Sequence, residues 1–288
     1  MPQITVSPAF QKAFRTSRGT VEVYHSYRDV ESGVWEASFG EQVRDGRFYQ
    51  IAEDCLREQF DFRYIVIRND RTGEFALQPT LLVDQDGAAG LPRQARSFVA
   101  AVREVYPRFL QMKLLMVGCA AGEGHPGSTE PWALQALHEA LPRVARDTGA
   151  PIIVLKDFPA EYRASLGPIF ERDYRRVPGM PAATLDLGYA SFEDYLQRRV
   201  GRVYRKNLRR KFRKLEAATP ITMEVCSDAT EVAGELFALY WQTYERSEFQ
   251  FEVLSPEFFE RLGKDMPDKT RFFIWRQLVS RNTITFVY

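Results

Sequence analysis

Residues 113–148 read KLLMVGCAAGEGHPGSTEPWALQALHEALPRVARDT, and this stretch decides the fold class. Its opening run, KLLMVG, is almost wholly apolar, which indicates a strand in the middle of a sheet. A glycine-rich loop follows at 119–130. The segment 131–148 then carries apolar residues on one side at helical spacing, and Gly149 is a typical helix terminator. A strand, a loop and a helix in this order are typical of an α/β protein.

Strand and helix patterns alternate on both sides of this stretch. Before it, the sequence predicts a strand-like run at 21–30, a helix at 48–60, a hairpin of strands at 63–68 and 74–83, and a helix at 96–109. After it come a buried strand at 151–155, a helix at 162–170 and strands at 174–177 and 182–187. We therefore expect a mixed central sheet flanked by helices that closes near residue 188.

A second group of elements begins beyond residue 188. The sequence predicts helices at 191–215, 230–246 and 255–262, and strands at 221–225, 271–277 and 283–288. A chain of 288 residues is long enough for one large domain or two ordinary ones. We predict domains at 1–188 and 189–288, the second of them opening with a basic helix.

The composition is that of a soluble globular protein, with 45% hydrophobic and 27% charged residues and a net charge of +1. The three cysteines and three histidines are scattered without metal-ligand spacing, so no metal centre is expected. No apolar run approaches the roughly 20 residues that a membrane helix requires. The N-terminus lacks the apolar core of a signal peptide, so we expect a cytoplasmic protein.

The glycine-rich loop has a layout that can cradle phosphate. Gly118 ends the predicted strand, and Gly122, Gly124 and Gly127 follow before the helix. Small residues let backbone N–H groups approach phosphate oxygens, and the positive end of a helix adds attraction. The spacing fits neither the dinucleotide-binding GxGxxG motif nor a P-loop. An ordinary surface loop built of turn-forming residues remains an alternative interpretation.

Two side chains of this loop could transfer a proton, namely Glu123 and His125. A general base must lie within hydrogen-bond reach of the group that it deprotonates, which the sequence alone does not define. Solvated side chains without a catalytic role are the alternative for both. Cys119 is rejected as a nucleophile because no histidine and acid stand at supporting positions.

The helix predicted at 191–215 reads SFEDYLQRRVGRVYRKNLRRKFRKL and carries basic residues from Arg198 to Lys214 with no acidic residue between them. Ser191 is a plausible N-cap, and Gly201 could divide a short helix from a longer one. Three interpretations stay open: a solvated face, a site for a phosphate-bearing ligand, and a nucleic-acid-binding helix. The near-neutral chain argues against nucleic acid as the primary partner, since such domains are basic overall. The favoured anion-binding residues are Arg205, Lys206, Arg209 and Arg210.

The basic helix, the strand ITMEV, the segment LYWQTYERSEFQFEVLSPEFFERL and the strand RFFIWRQ together resemble the FemAB-like branch of the GNAT acyltransferases. The resemblance is most specific over 190–277, and the N-terminal half fits it in layout. It implies a tandem GNAT-like acyl-CoA N-acyltransferase fold of peptidoglycan or exopolysaccharide type. The loop of classical members reads Arg or Gln, two residues, Gly, one residue, then Gly or Ala. Here Gly122 and Gly124 match it, Cys119 replaces the polar first residue, and Glu123 adds a negative charge.

The resemblance also implies a function, which is the transfer of an acetyl or aminoacyl group to an amine. The implied donor is acetyl-CoA or another acyl-CoA, and aminoacyl-tRNA is the alternative donor. The implied acceptor is a small or nucleotide-linked amine. Transfer of RNA-linked groups would make tRNA a partner. We expect Gly118, Gly122 and Gly124 to hold the donor and Glu123 or His125 to act in catalysis. We also expect the second domain to be incomplete. The alternative is a catalytically inactive anion- or nucleic-acid-binding module derived from that fold; the sequence does not indicate an oligomeric state.

Overall fold

The structure is a computed structural model that describes residues 12–88, 92–179, 185, 187–216, 221–247, 250–277 and 283–287. The chain forms two compact units. The described residues within 1–176 and 249–258 form the first unit, and those within 177–248 and 259–288 form the second. The predicted boundary at residues 188 and 189 stays a prediction.

The first unit contains strands and helices in alternation. In chain order they are β1 (Lys12–Arg15), β2 (Thr20–Tyr24), α1 (Ser32–Phe39), α2 (Gly46–Leu56), β3 (Asp61–Arg68), β4 (Phe75–Asp86), α3 (Arg93–Arg103), β5 (Gln111–Val117), α4 (Pro131–Thr148), β6 (Ile152–Leu155) and α5 (Arg163–Phe170). The prediction of α4 is confirmed at both ends, because Pro131 occupies its first turn and Gly149 caps its last. The predicted hairpin is β3 and β4.

The described strands of the first unit form one mixed sheet in the order β1-β2-β3-β4-β5-β6. All neighbours are antiparallel except β5 and β6, which run parallel with Leu114 opposite Ile152. Helices cover both faces of this sheet. On one face α4 packs on a core that includes Ile65 and Leu115, and on the other α1 and α2 pack through aromatic rings such as Trp35 against Tyr64. The predicted mixed α/β fold is confirmed.

Three local predictions for this unit are wrong, wholly or in part. The run at 21–30 leaves the sheet after Tyr24, because Ser26 caps a short 3-10 turn. The strand at 151–155 is not buried but ends the described sheet, and Ile152 is 38% exposed. Residues 174–177 form no strand, since Tyr174 packs its ring on Phe170 instead. The strand predicted at 182–187 falls largely outside the described residues.

The segment 250–258 is distant in sequence but belongs to the first unit. The side-chain amide of Gln59 donates to the backbone carbonyl of Val253 over 2.8 Å and accepts from its N–H over 2.7 Å. The Phe251 ring lies 5.1 Å from the ring of Phe60, and Leu254 is buried. Residues from far downstream in the sequence therefore complete the surface of the first unit.

The second unit begins with two helices, α6 (Phe192–Arg199) and α7 (Arg202–Glu216). Ser191 caps α6 by accepting the N–H of Asp194, and the chain leaves helical geometry at Val200, so the predicted division at Gly201 is confirmed. The remaining described elements along the chain are β7 (Ile221–Cys226), α8 (Ala233–Arg246), α9 (Pro256–Asp265), β8 (Phe272–Gln277) and β9 (Thr283–Val287). The first residues of α9 belong to the segment 250–258 of the first unit.

The second unit's described strands form an antiparallel sheet in the order β7-β8-β9. Phe272 and Ile274 point to a buried face. The opposite face is partly open to solvent, because Met223 is 55% and Val225 48% exposed. The predicted terminal hairpin is confirmed by the pairing of β8 with β9.

Candidate functional site

The glycine-rich loop leaves the sheet at the carboxyl ends of β5 and β6. These strands are parallel, so the loop after β5 and the loop after β6 emerge at the same edge of the sheet. Backbone hydrogen bonds join the two loops: Lys156 N–H donates to Val117 over 2.9 Å, and Gly124 N–H donates to Asp157 over 3.1 Å. Gly118 N–H donates to Pro79 on β4 over 3.0 Å. The three predicted donor-binding glycines thus lie in one loop fixed on three strands.

Two of these glycines are closely packed. Gly122 has a φ of +113°, and a Cβ there would lie 2.6 Å from a guanidinium nitrogen of Arg44. A Cβ on Gly124 would lie 2.3 Å from the carbonyl oxygen of Lys156. A φ in this range is one that L side chains rarely adopt, so glycine is required at 122 for its conformation as well as for space. The loop geometry therefore depends on the glycines themselves.

Two cations contact this loop. Arg44, from the turn between α1 and α2, places its guanidinium against Gly122. Lys156 donates from Nζ to the carbonyl oxygen of Gly122 over 3.2 Å and pairs with Asp157 over 2.9 Å. Its side chain is only 16% exposed. A guanidinium and an ammonium beside a glycine loop are groups that can bind phosphate oxygens.

His125 lies in the same loop, and its Nδ1 is 2.8 Å from the hydroxyl of Tyr162. Burial and then the charge of Arg44 lower the pKa of His125, while Glu123 opposes the shift. The imidazole is therefore mainly neutral at neutral pH. When Nδ1–H donates to Tyr162, Nε2 is left as the proton acceptor of the ring. Burial raises the pKa of the Tyr162 phenol, so its hydroxyl stays protonated.

The other two acid-base candidates of the loop differ from His125. Glu123 is exposed. Cys119 is buried, and its thiol donates to the carbonyl of Ala121 over 3.3 Å. Burial raises the pKa of the Cys119 thiol to about 11, so it is protonated at neutral pH. These properties agree with its rejection as a nucleophile.

Several residues at this site were missed by the sequence analysis. Arg44 and Tyr162 carry no motif, and Lys156 gave only the signal that it directly follows an apolar strand run. Glu252 comes from the segment 250–258 and lies near Lys156. Burial raises the pKa of the Glu252 carboxyl, and Lys156 partly opposes that shift.

The predicted anion-binding residues of the basic helix lie in the second unit, on α7. Arg205 donates to the backbone carbonyl of Gln197 over 2.9 Å, and Arg209 pairs with Glu193, so both guanidinium groups join α7 to α6. Lys206 is exposed. Arg210 is also exposed and donates to Asn207 one turn away over 2.8 Å. Two of the four residues therefore stabilise the helix pair, and the other two are presented to solvent.

Within the described residues, no group of His, Cys, Asp or Glu side chains could hold a metal ion. No helix in the described part of the chain is long and apolar enough to cross a membrane.

Residues 202–277 match the family model of an acetyltransferase (GNAT) domain. The match runs from the first residue of α7 to the last residue of β8. No curated protein and no solved structure matches the chain. The segment is similar to GNAT-type acetyltransferase domains, which supports acyl transfer as the general chemistry and an acyl-CoA as the general class of donor.

Proposed function

We propose that the protein is an N-acyltransferase that moves an acetyl or aminoacyl group to an amine acceptor. The observation that carries the proposal is the match of residues 202–277 to the GNAT acetyltransferase family. We further propose that the first unit is a GNAT-like domain of its own, which makes the chain a tandem, FemAB-like protein with domains at 1–188 and 189–288. The order β2-α1-α2-β3-β4-α3-β5-loop-α4-β6 in the first unit supports this proposal.

The acyl donor binds at the glycine loop of the first unit. Gly118, Gly122 and Gly124 give its phosphate groups access to the backbone, and Arg44 and Lys156 supply the positive charge. These cations compensate for the polar residue that Cys119 replaces and for the negative charge of Glu123. The donor is acetyl-CoA or another acyl-CoA, and aminoacyl-tRNA is the alternative.

The reaction requires a neutral amine and a polarised thioester. The amine nitrogen attacks the carbonyl carbon, a C–N bond forms, the C–S bond breaks, and the thiolate leaves. His125 accepts the proton that the amine loses, because its neutral imidazole keeps an open acceptor nitrogen. Glu123, exposed beside it, is the second candidate for this proton transfer.

The acceptor is a small or nucleotide-linked amine, or an amine carried by tRNA. Arg205, Lys206, Arg209 and Arg210 are proposed to attract its negative charge, with Lys206 and Arg210 exposed for contact. By analogy with the FemAB-like branch, the process served is cell-envelope biosynthesis from the cytoplasm.

Replacing His125 with glutamine is expected to lower the rate of acyl transfer by about 100-fold or more, because general-base catalysis contributes on that scale. Protonation of His125 should lower the wild-type rate only at a pH below the range in which an ordinary histidine is protonated, since burial and the charge of Arg44 lower the pKa of His125. The measurement is release of free thiol from acetyl-CoA across a pH series, with a panel of amines.

The matched control is His25→Gln, because His25 is also partly buried but lies on the chain after β2, away from the glycine loop. This control should keep the wild-type rate and pH profile. A His125→Gln variant that transfers acyl groups as fast as the control would remove His125 from the mechanism. If no acyl donor released thiol in the presence of any amine, that result would contradict the proposed function itself.

A second candidate function is an anion- or nucleic-acid-binding module that has lost catalysis. The exposed cations along α7 favour it, since Lys206 and Arg210 have no structural pairing with acidic side chains in the described part of the chain. Such a module would bind polyanions without preferring an acyl-CoA. Its affinity would fall steeply as salt is added.

A further inference from the structure

Helix α7 combines strong positive charge with an exposed apolar stripe. Its sequence, RVYRKNLRRKFRKLE, contains eight basic residues and a single acidic one. Lys206, Arg210 and Arg213 are spaced four and three residues apart, so they share one side of the helix. This side carries far more charge than the nearly neutral chain as a whole.

The stripe lies on the other side of α7. Tyr204, Leu208, Phe212 and Leu215 are spaced four, four and three residues apart. Tyr204 is 73%, Phe212 40% and Leu215 48% exposed. The stripe continues onto α6, where Phe192 is 58% exposed and its ring lies 6.0 Å from that of Phe212.

Polar contacts of residues outside the stripe hold α6 and α7 together. Arg205 donates to carbonyl groups at the C-terminal end of α6, and Arg209 pairs with Glu193 in its first turn. The stripe is therefore presented by a fixed helix pair, and Tyr204 and Leu215 can be replaced without removing these polar contacts or the contact between the Phe192 and Phe212 rings.

An anionic lipid surface fits this combination better than a nucleic acid does. A helix of low mean hydropathy with an aromatic and aliphatic face and a basic polar face lies in the plane of a membrane interface, with its apolar face in the headgroup region. Phosphate binding by nucleic acid would use the cations but would leave the aliphatic residue Leu215 exposed to water. The partner of the apolar stripe must therefore offer an apolar region in which these side chains can be buried.

We propose that α7 docks the protein on anionic membranes, with the stripe inserted at the headgroup boundary and the basic side chains attracted by lipid phosphates and carboxylates. The helix lies on the surface and does not span it. This proposal does not depend on the proposed acyl transfer, since it uses only the charge and exposure of one helix pair.

The test is co-sedimentation of the full chain with vesicles of phosphatidylcholine alone or of phosphatidylcholine and phosphatidylserine in equal parts. We expect binding to the mixed vesicles only. Lys211 and Lys214 are two further exposed basic residues of α7. Neutralising both to glutamine should weaken that binding about 25-fold, because each basic residue near an anionic surface contributes roughly a factor of five. The control Arg172→Gln/Arg175→Gln removes the same charge from exposed sites of the first unit and should bind like the wild type.

A second variant distinguishes lipid from nucleic acid. Tyr204→Ser/Leu215→Ser keeps every charge and should weaken vesicle binding about 10-fold or more, because buried apolar area is lost. Its thermal unfolding should match the wild type, since both residues are exposed. Three results would overturn the proposal. The wild type could bind both vesicle types equally, this variant could bind the mixed vesicles as tightly as the wild type, or the wild type could bind single-stranded RNA more tightly than the mixed vesicles.

Discussion

Replacing Gly127 with alanine is expected to destabilise the first unit by about 3 kcal/mol, the upper part of the usual cost of overpacking. Gly127 lies where the loop turns toward α4, against the backbone of β4. A Cβ there would lie 1.6 Å from the carbonyl oxygen of Leu77. That oxygen belongs to a central strand and cannot move without shifting the sheet, so the loop must detach instead.

The measurement is thermal unfolding of the full chain, in which the midpoint of the first unit should fall by roughly 10 °C. Gly33→Ala is the matched control, because a Cβ at Gly33 in α1 would meet nothing within 4 Å. Alanine is favoured over glycine inside a helix, so the control should be neutral or stabilising by up to about 1 kcal/mol. Equal midpoints for the two variants would show that the loop does not pack on β4.

Replacing Glu53 with alanine is expected to cost about 3–5 kcal/mol, because three donors lose their acceptor and each unsatisfied buried donor costs roughly 1–3 kcal/mol. Glu53 is only 6% exposed. Its carboxylate accepts hydrogen bonds from Ser26 Oγ over 2.6 Å, Tyr27 N–H over 2.7 Å and the Tyr64 hydroxyl over 2.8 Å. These bonds join α2 to the chain after β2 and to β3, so their loss leaves buried donors without partners.

The same unfolding experiment can separate this network from ordinary surface contacts. Glu22→Ala is the control, because Glu22 is partly exposed and accepts one hydroxyl bond, from Tyr24 over 2.9 Å. It should cost less than about 1 kcal/mol. Adding Tyr64→Phe to Glu53→Ala should recover part of the loss, because the orphaned buried hydroxyl is then removed. The network would be contradicted if the stability losses of Glu53→Ala and Tyr64→Phe simply added in the double variant. It would also be contradicted if Glu53→Ala and Glu22→Ala lowered the free energy of unfolding equally.

The sequence was sufficient to predict elements whose start and end are marked by residues within the element itself. The helix Pro131–Thr148 has a first-turn proline, a regular apolar side and a terminal glycine, and all three act within the element itself. The division at Gly201 and the cap at Ser191 follow from similar local chemistry. Strand β6 was misjudged because an apolar run indicates a strand but does not say whether a neighbour covers its second edge.

The candidate site was only partly predictable, because some of its residues are brought together by contacts between distant parts of the sequence. His125 and the glycines lie in one loop, so their grouping needs no tertiary contact. Arg44 reaches Gly122 from a turn far upstream, and the segment 250–258 joins the first unit from far downstream. No periodicity or motif in a single sequence encodes such long-range contacts.

Titration of acetyl-CoA into the protein tests the central claim most directly, namely that the glycine loop of the first unit binds an acyl donor through Arg44 and Lys156. The wild type should bind, and Lys156→Met should bind about 10-fold or more weakly, because a charged hydrogen bond to phosphate is lost. The control Lys113→Met, at an exposed position of β5, should bind like the wild type. Absence of binding to the wild type, or equal affinity in all three proteins, would contradict the account.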